Sequence, residues 1–370
     1  MAYSIQGKVI VRPEGTVIST GAEEYIAPDG SVHMVPVVNS SALQQLQEYA
    51  SDEEASAAED LTPAAEEGGE KTDVKNNYLK LFSSNEDLLN FLVEREILHG
   101  SYRCIDCRCE CKAREKKGLS DEFVWQCSQC RRQYSVRSDS IFAKSKLSIQ
   151  TIMQIILYWA SGAPGHTTCN LLRDVSANTI YKWYKVCRDK VHAKMQTEKI
   201  KFTGDGVTAE VQIDESLCGK KRKYNRGKFF SQVWLFGISQ LSEHKCILVP
   251  VEKRDEATLM KIIEEHVDKS CNMKVVSDGW SSYKNLALAG YQHSVVIHKN
   301  EFVNDQGDHT NSIESIWLQL KSWMSSMHGV DKSSFEEYLS ELMFRYNYCG
   351  GSRADCFEQF LQELRIDSQG

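Results

Sequence analysis

No stretch of the 370-residue chain approaches the roughly 18 consecutive apolar residues that a spanning helix requires, so no membrane span is expected. The start lacks a basic region followed by a short apolar one, so no secretory signal is expected either. No internal repeat is evident. Cysteine, by contrast, is plentiful: thirteen in a chain without a secretory signal favour free thiols and metal ligands over a disulfide framework. The length leaves room for two or three domains.

The net charge of -7 is unevenly spread. Residues 1–75 hold 14 acidic and 4 basic side chains, whereas 144–230 hold 16 Lys and Arg against 7 Asp and Glu. An acidic head on a locally basic body suggests a nucleic-acid surface and a separate tail. The segment "SDEEASAAEDLTPAAEEGGEKTD" is too rich in Glu, Ala, Ser and Gly to bury a core, so residues 1–75 are expected to be a disordered acidic region. Only "KVIVRPEGTVIST" and "SVHMVPVVNS" within it alternate like strands.

Residues 76–143 read as a helix, "NEDLLNFLVEREIL" with Asn85 as its cap, followed by a zinc ribbon. "CIDC" and "CSQC" are two C-x2-C knuckles with 19 residues between them, a spacing that suits a four-thiolate structural zinc site. Each knuckle turns two thiolates toward one tetrahedral ion. Cys109 and Cys111 offer alternative thiols, but the turn geometry favours Cys104, Cys107, Cys127 and Cys130. "RRQYSVR" places Arg131, Arg132 and Arg137 beside Tyr134, a basic and aromatic knuckle suited to a phosphate backbone or to a solvated face.

Residues 144–203 read as three helices in helix-turn-helix order: "LSIQTIMQIILYWASG", "GHTTCNLLRDV" and "SANTIYKWYKVCRDKVHAKM", the last capped by Ser176. The third carries Lys182 and Lys185, which would face DNA if its start entered a major groove; the alternative is a helical linker.

From residue 204 to 350 the pattern changes to α/β. "AEVQIDESLCG" alternates as a strand with Asp214 mid-strand, where a carboxylate without a partner is costly and a metal ion would neutralise it. Two more strands, a helix, the short strand "NMKVVSDGWSSY" with Asp278 at its end, a helix, the strand "HSVVIH" and a last helix follow. This is the ribonuclease-H-like layout, with Asp214 on its first strand, Asp278 after its fourth and Glu314 on its last helix. Residues 351–370 read as a C-terminal helix or tail. Glu215 is expected to pair with a basic group on the opposite face from Asp214, and Asp305 and Asp308 to cap the loop before the last helix.

The motifs "CSQCRRQYSVR", "VQIDESLCGKKRKYNRGK", "VVSDGWSSY" and "HTNSIESIWLQLK", in this order across roughly residues 85 to 350, resemble the ISXO2-like, IS1595-type transposases and their eukaryotic counterparts, the Merlin superfamily. The resemblance implies a DDE transposase that cleaves phosphodiesters and transfers strands at transposon ends. It maps Asp214, Asp278 and Glu314 onto the catalytic triad, holding Mg²⁺ or Mn²⁺, and Lys321 onto the lysine seven residues beyond the glutamate. His309 and Asn311 match the family's His-x-Asn stretch. The basic run with Lys221, Arg222, Lys223, Arg226 and Lys228 then reads as a DNA clamp, the alternative being a nuclear-import signal or a solvated loop. The resemblance also implies double-stranded DNA as partner (terminal inverted repeats and target), a homo-oligomer, and the nucleus if the source is eukaryotic. The alternative is a domesticated, transposase-derived DNA-binding or regulatory protein without transposition activity, which the acidic head permits.

Overall fold

The computed structural model describes short strands in the first unit, Tyr78, and residues 84–204, 210–219, 232–271, 273–296, 308–327, 330, 332–350 and 353–366. The chain divides into two compact units, Met1–Gly69 and Glu70–Gly370. The first holds a three-stranded antiparallel sheet, β1 (Ser4–Gln6), β2 (Val9–Val11) and β3 (Val17–Ser19), and a hairpin of β4 (Glu23–Ile26) and β5 (Val32–Val35). The remainder of the segment expected to be disordered lies outside the described residues.

The second unit opens with α1 (Asn85–Glu94). Its cap is Ser84, whose hydroxyl accepts from the Asp87 N–H, so Asn85 is the first helical residue and not the cap. A four-stranded antiparallel ribbon follows: β6 (Tyr102–Arg103), β7 (Glu110–Glu115), β8 (Phe123–Cys127) and β9 (Gln133–Ser135). It has its own small core of Cys104, Cys111, Trp125, Cys127 and Val136.

The three expected helices are α2 (Ile149–Ala160), α3 (Gly165–Leu171) and α4 (Ala177–Thr197). Ser148 and Ser176 cap α2 and α4 through their hydroxyls, as short polar side chains do at helix starts. The buried side of α4 is Ile180, Trp183, Tyr184, Cys187, Val191 and Met195, spaced at helical intervals.

The central sheet contains β10 (Glu210–Cys218), β11 (Val233–Gln240), β12 (Lys245–Val251), β13 (Lys274–Asp278) and β14 (Gln292–Val296). Its spatial order is β12-β11-β10-β13-β14. The first three strands form an antiparallel meander, and β13 and β14 continue it in parallel with β10. Helix α5 (Glu256–His266) provides the crossover from β12 to β13. Between β13 and β14 the sequence predicted a helix; the chain instead makes a single 3-10 turn, Ser281–Tyr283, and further turns. The connection, residues 279–291, is near the minimum of about a dozen residues for a parallel crossover.

Helices α6 (Asn311–Ser326), α7 (Phe335–Tyr348) and α8 (Arg353–Gln362) complete the unit. Ile313, Ile316, Trp317 and Leu320 form the buried side of α6 and enter the same apolar core as the sheet and α2, α4, α7 and α8. Arg95 holds Glu358 at 2.5 and 3.0 Å, which ties the end of α1 to α8. Arg345 on α7 donates to the carbonyls of Trp159 and Ala160 at 2.6 and 2.8 Å, satisfying acceptors at the end of α2.

Candidate functional site

The two knuckles are built alike. Cys104 N–H donates to the Cys109 carbonyl and Cys127 N–H to the Arg132 carbonyl, both at 2.9 Å. The residue after each second cysteine, Arg108 (φ 57°) and Arg131 (φ 62°), is in the left-handed region that reverses the chain. These turns bring the sulfurs of Cys104, Cys107, Cys127 and Cys130 within 4.8 Å of one another, a donor set and spacing suited to tetrahedral zinc. The Cys104 thiol is pushed down to about 6, first by the Cys107 backbone N–H and then by the Tyr134 hydroxyl, which lies 3.1 Å from its sulfur. The Cys130 backbone N–H lowers Cys127 in the same way. Cys107 and Cys130 move the other way and are raised, so without metal one cysteine of each knuckle favours the thiolate and the other keeps its proton, which a bound ion would displace.

Cys109 and Cys111 are not among the four mutually close sulfurs, although Cys111 pairs directly opposite Cys127 across β7 and β8. Cys109 faces the Gln129 side chain at 2.6 Å, and Cys111 is buried in the ribbon core. Arg131 and Arg132 are exposed, with Arg132 paired to Asp106 at 2.5 Å. Arg137 differs from expectation: it is buried and clamps Asp121 through two nitrogens, one at 2.6 Å. Its guanidinium also donates to the Ser145 carbonyl at 2.8 Å, so it is a structural brace for the start of α2 and presents nothing to a phosphate.

On α4, Lys182 and Tyr181 are exposed near the helix start. Lys185 is shared between Asp189 at 2.7 Å and Glu337 of α7 at 3.2 Å. Arg188 stacks over the Tyr338 ring, and His192 meets the Ser340 hydroxyl at 2.9 Å. The second half of α4 is therefore bound along one side to α7, and Tyr181 and Lys182 lie exposed before it.

Two of the three acids come together through sheet register. Ile213 pairs with Ser277 across parallel strands, so the next residues, Asp214 and Asp278, sit side by side. Asp214 accepts the Trp317 indole N–H at 2.9 Å, and Asp278 accepts the Trp280 backbone N–H at 3.0 Å. Burial pushes Asp214 up to about 6, with the negative charges of Asp278 and Glu314 adding to the effect. Glu314 lies in the first turn of α6 on its exposed side, followed along that side by Leu318 and Lys321. Glu314, Trp317 and Lys321 thus do not share one face: Trp317 turns into the core while Glu314 and Lys321 face outward. Lys321 lies close enough to Cys218, the last residue of β10, for its charge to act on that thiol. Among the described residues, the cysteine sulfurs are the one ligand group drawn within 4.8 Å; the carboxylates are more widely spaced.

Glu215 faces away from Asp214, and among the described residues no lysine or arginine is hydrogen-bonded to it, although the charge of Arg254 acts on its carboxylate. The Tyr283 hydroxyl donates to it at 2.5 Å, and burial pushes the carboxyl up to about 7. Arg254 stacks instead between Trp234 and Trp280, 3.5 and 4.8 Å from their ring centres, and steadies the turn after Asp278. Asp308 is buried in an ion pair with Lys274 and accepts from the Ser294 hydroxyl at 2.6 Å, so it pins the loop before α6 to the parallel strands. His309 is half-buried against Gln212, and Asn311 is exposed. Lys221, Arg222, Lys223, Arg226, Lys228 and Asp305 lie outside the described residues.

Residues 206–347, which span the sheet, the three acids and α6, match the family model of the ISXO2-like transposase domain. An "uncharacterized transposase-like protein" of Haemophilus influenzae is 30% identical over 103 residues, covering 28% of this chain and 81% of the relative. The chain belongs to the ISXO2-like transposase family. Membership implies DNA binding in general and, for the family, divalent-metal chemistry. Within the ISXO2-like domain, sequence reasoning missed Gln212, Gly237 and Tyr283. Gly237 pairs with Asp214 across the meander, and a Cβ there would stand 2.7 Å from the Trp317 ring and 2.8 Å from Ile313. The absence of a side chain at Gly237 leaves room for the Trp317 ring, whose N–H reaches Asp214.

Proposed function

We propose that this chain is a DDE transposase whose Asp214, Asp278 and Glu314 hold two divalent ions, Mg²⁺ or Mn²⁺, and cut and rejoin DNA at transposon ends. The observation that carries this reading is the adjacency of Asp214 and Asp278 on parallel strands, beneath a helix that presents Glu314. The sheet order and the crossover by α5 agree with a ribonuclease-H-like layout. The donor set is all oxygen, as Mg²⁺ prefers, and Asp214 is a desolvated carboxylate that gains from a nearby cation.

When bound, such ions supply an activated oxygen nucleophile and stabilise the leaving oxygen of an in-line phosphodiester displacement. Asp214 and Asp278 hold their oxygens in place through the Trp317 and Trp280 N–H groups. Lys321 binds the phosphate of the strand being cut, two turns along α6 from Glu314. Arg131, Arg132, Lys182 and the clamp from Lys221 to Lys228 hold the duplex. Cys104, Cys107, Cys127 and Cys130 keep the ribbon folded around zinc. The family motifs extend the reading to the eukaryotic Merlin transposons, with a homo-oligomer acting on paired ends, in the nucleus if the source is eukaryotic.

A second reading, a host-adapted DNA-binding regulator, is favoured by the acidic head, which lies outside the matched residues 206–347. One assay separates the two. Purified protein with Mg²⁺ or Mn²⁺ is given duplex carrying the inverted repeats that flank its own coding region. Nicks at the repeat ends are expected. Binding without nicking supports the regulator, and no binding to either repeats or random duplex contradicts both.

A further inference from the structure

The helix bearing Glu314 does not cap itself. Thr310 occupies its N-cap position but makes no side-chain cap bond. The N–H groups that such a cap normally satisfies, those of Ser312 and Ile313, instead donate to the side-chain oxygen of Gln212 at 2.9 and 3.3 Å. Gln212 is buried on β10, two residues before Asp214 and on the same face. That single strand face therefore grips α6 twice, at its first amides through Gln212 and about one turn later through Asp214 and Trp317. Two attachments fix both the rotation and the axial position of a helix; one would leave it free to pivot. Glu314 lies between them.

The same contact sets a proton. Two backbone donors require the amide oxygen of Gln212 to face the helix, so its NH₂ must point the other way. It lies 3.3 Å from the Nδ1 of His309 and 3.4 Å from a Glu210 oxygen. An amide NH₂ only donates, so Nδ1 must accept and carry no proton. The hydrogen of a neutral ring is then on Nε2, the nitrogen turned away from Gln212.

We infer that Gln212 is a positioning residue of the acid site: it docks the start of the Glu314 helix onto the Asp214 strand and, through the same amide, fixes His309 as an Nε2–H donor for a phosphate oxygen of bound DNA. The use of that donor rests on the transposase reading; the docking and the proton position do not.

Both are read on the full-length, DNA-free protein. Gln212→Glu keeps the acceptor for the helix but replaces the NH₂ with a second acceptor. At pH 8, with ionised carboxylate held by two helix amides, the ¹⁵N shifts of His309 (assigned by its loss in His309→Gln) should move to a ring protonated on Nδ1. Gln212→Met keeps the volume and removes both bonds. Amide exchange at Ser312 and Ile313 should then speed up about fivefold to tenfold, the loss expected for a cap, while the Glu variant retains protection. A His309 ring protonated on Nδ1 in the wild type, a ring unchanged by Gln212→Glu, or exchange unchanged by Gln212→Met would each overturn the inference. None of these readouts requires nicking activity, so a failure here is distinguishable from a failure of the transposase reading.

Discussion

Trp317 donates its indole N–H to Asp214 at 2.9 Å from the buried side of the helix whose exposed side carries Glu314 and Lys321. One side chain thus serves packing and site geometry together. Trp317→Phe should still fill most of the space over Gly237 but leave Asp214 without its donor. A hydrogen bond to a charged group contributes about 1.5–3 kcal/mol, so a loss in that range is expected in chemical denaturation, together with slower metal-dependent nicking. Gly237→Ala should cost about 1–3 kcal/mol through overpacking against the same ring. An unchanged denaturation midpoint in both variants would contradict the arrangement.

The zinc assignment separates the six cysteines of the ribbon. Replacing Cys127 with Ser should abolish stoichiometric zinc in elemental analysis and expose the 100–140 region to protease. Cys109→Ser should leave one zinc per chain, because its thiol faces Gln129. Loss of zinc in the Cys109 variant would move the site.

The arginines near the second knuckle should part company. Arg137→Ala leaves Asp121 buried without its partner, for which about 3–5 kcal/mol is expected. Arg132→Ala, on an exposed residue, should change stability by less than about 1 kcal/mol and weaken duplex binding in a salt-dependent way. Equal effects on stability would place both side chains in the same environment, against the structure.

Protons and divalent ions should compete at Asp214. Its carboxyl is raised in the folded, metal-free protein to about 6 from an ordinary value of 3.8. The folded state therefore binds this proton more tightly than the unfolded chain. That contribution to stability is full below about pH 4 and is lost as the pH rises through about 6. A cation that takes the proton's place relieves the cost. The rise in Tm caused by Mn²⁺ should be larger at pH 8 than at pH 5, measured by thermal unfolding of the zinc-loaded protein. Equal shifts would show that Asp214 is not a ligand.

Much of this was legible in the sequence because the signals are local. Two C-x2-C knuckles carry their own turn geometry, and period-two alternation around Asp214 fixes its strand and face. The acids on the first strand, after the fourth strand and on α6 follow from element order alone. The contacts that hold them do not. Gln212 and Ser312 lie 100 positions apart, as do Asp214 and Trp317 to within a few residues, and only tertiary register brings each pair together. Arg137 looked like its exposed neighbours because nothing adjacent announces Asp121, 16 residues earlier, as its buried partner. Glu215 was assigned a cation because a lone carboxylate suggests one; the structure supplies a tyrosine hydroxyl.

The central claim is that Asp214, Asp278 and Glu314 act as one metal-dependent site. Its most direct test is single-turnover nicking of a repeat-bearing duplex in Mn²⁺ by the wild type and by Asp278→Ala. Folding of the variant is verified by circular dichroism, and its duplex affinity is measured alongside. The account predicts that the variant binds the duplex as the wild type does and leaves it uncut. Nicking by Asp278→Ala at the wild-type rate would contradict it.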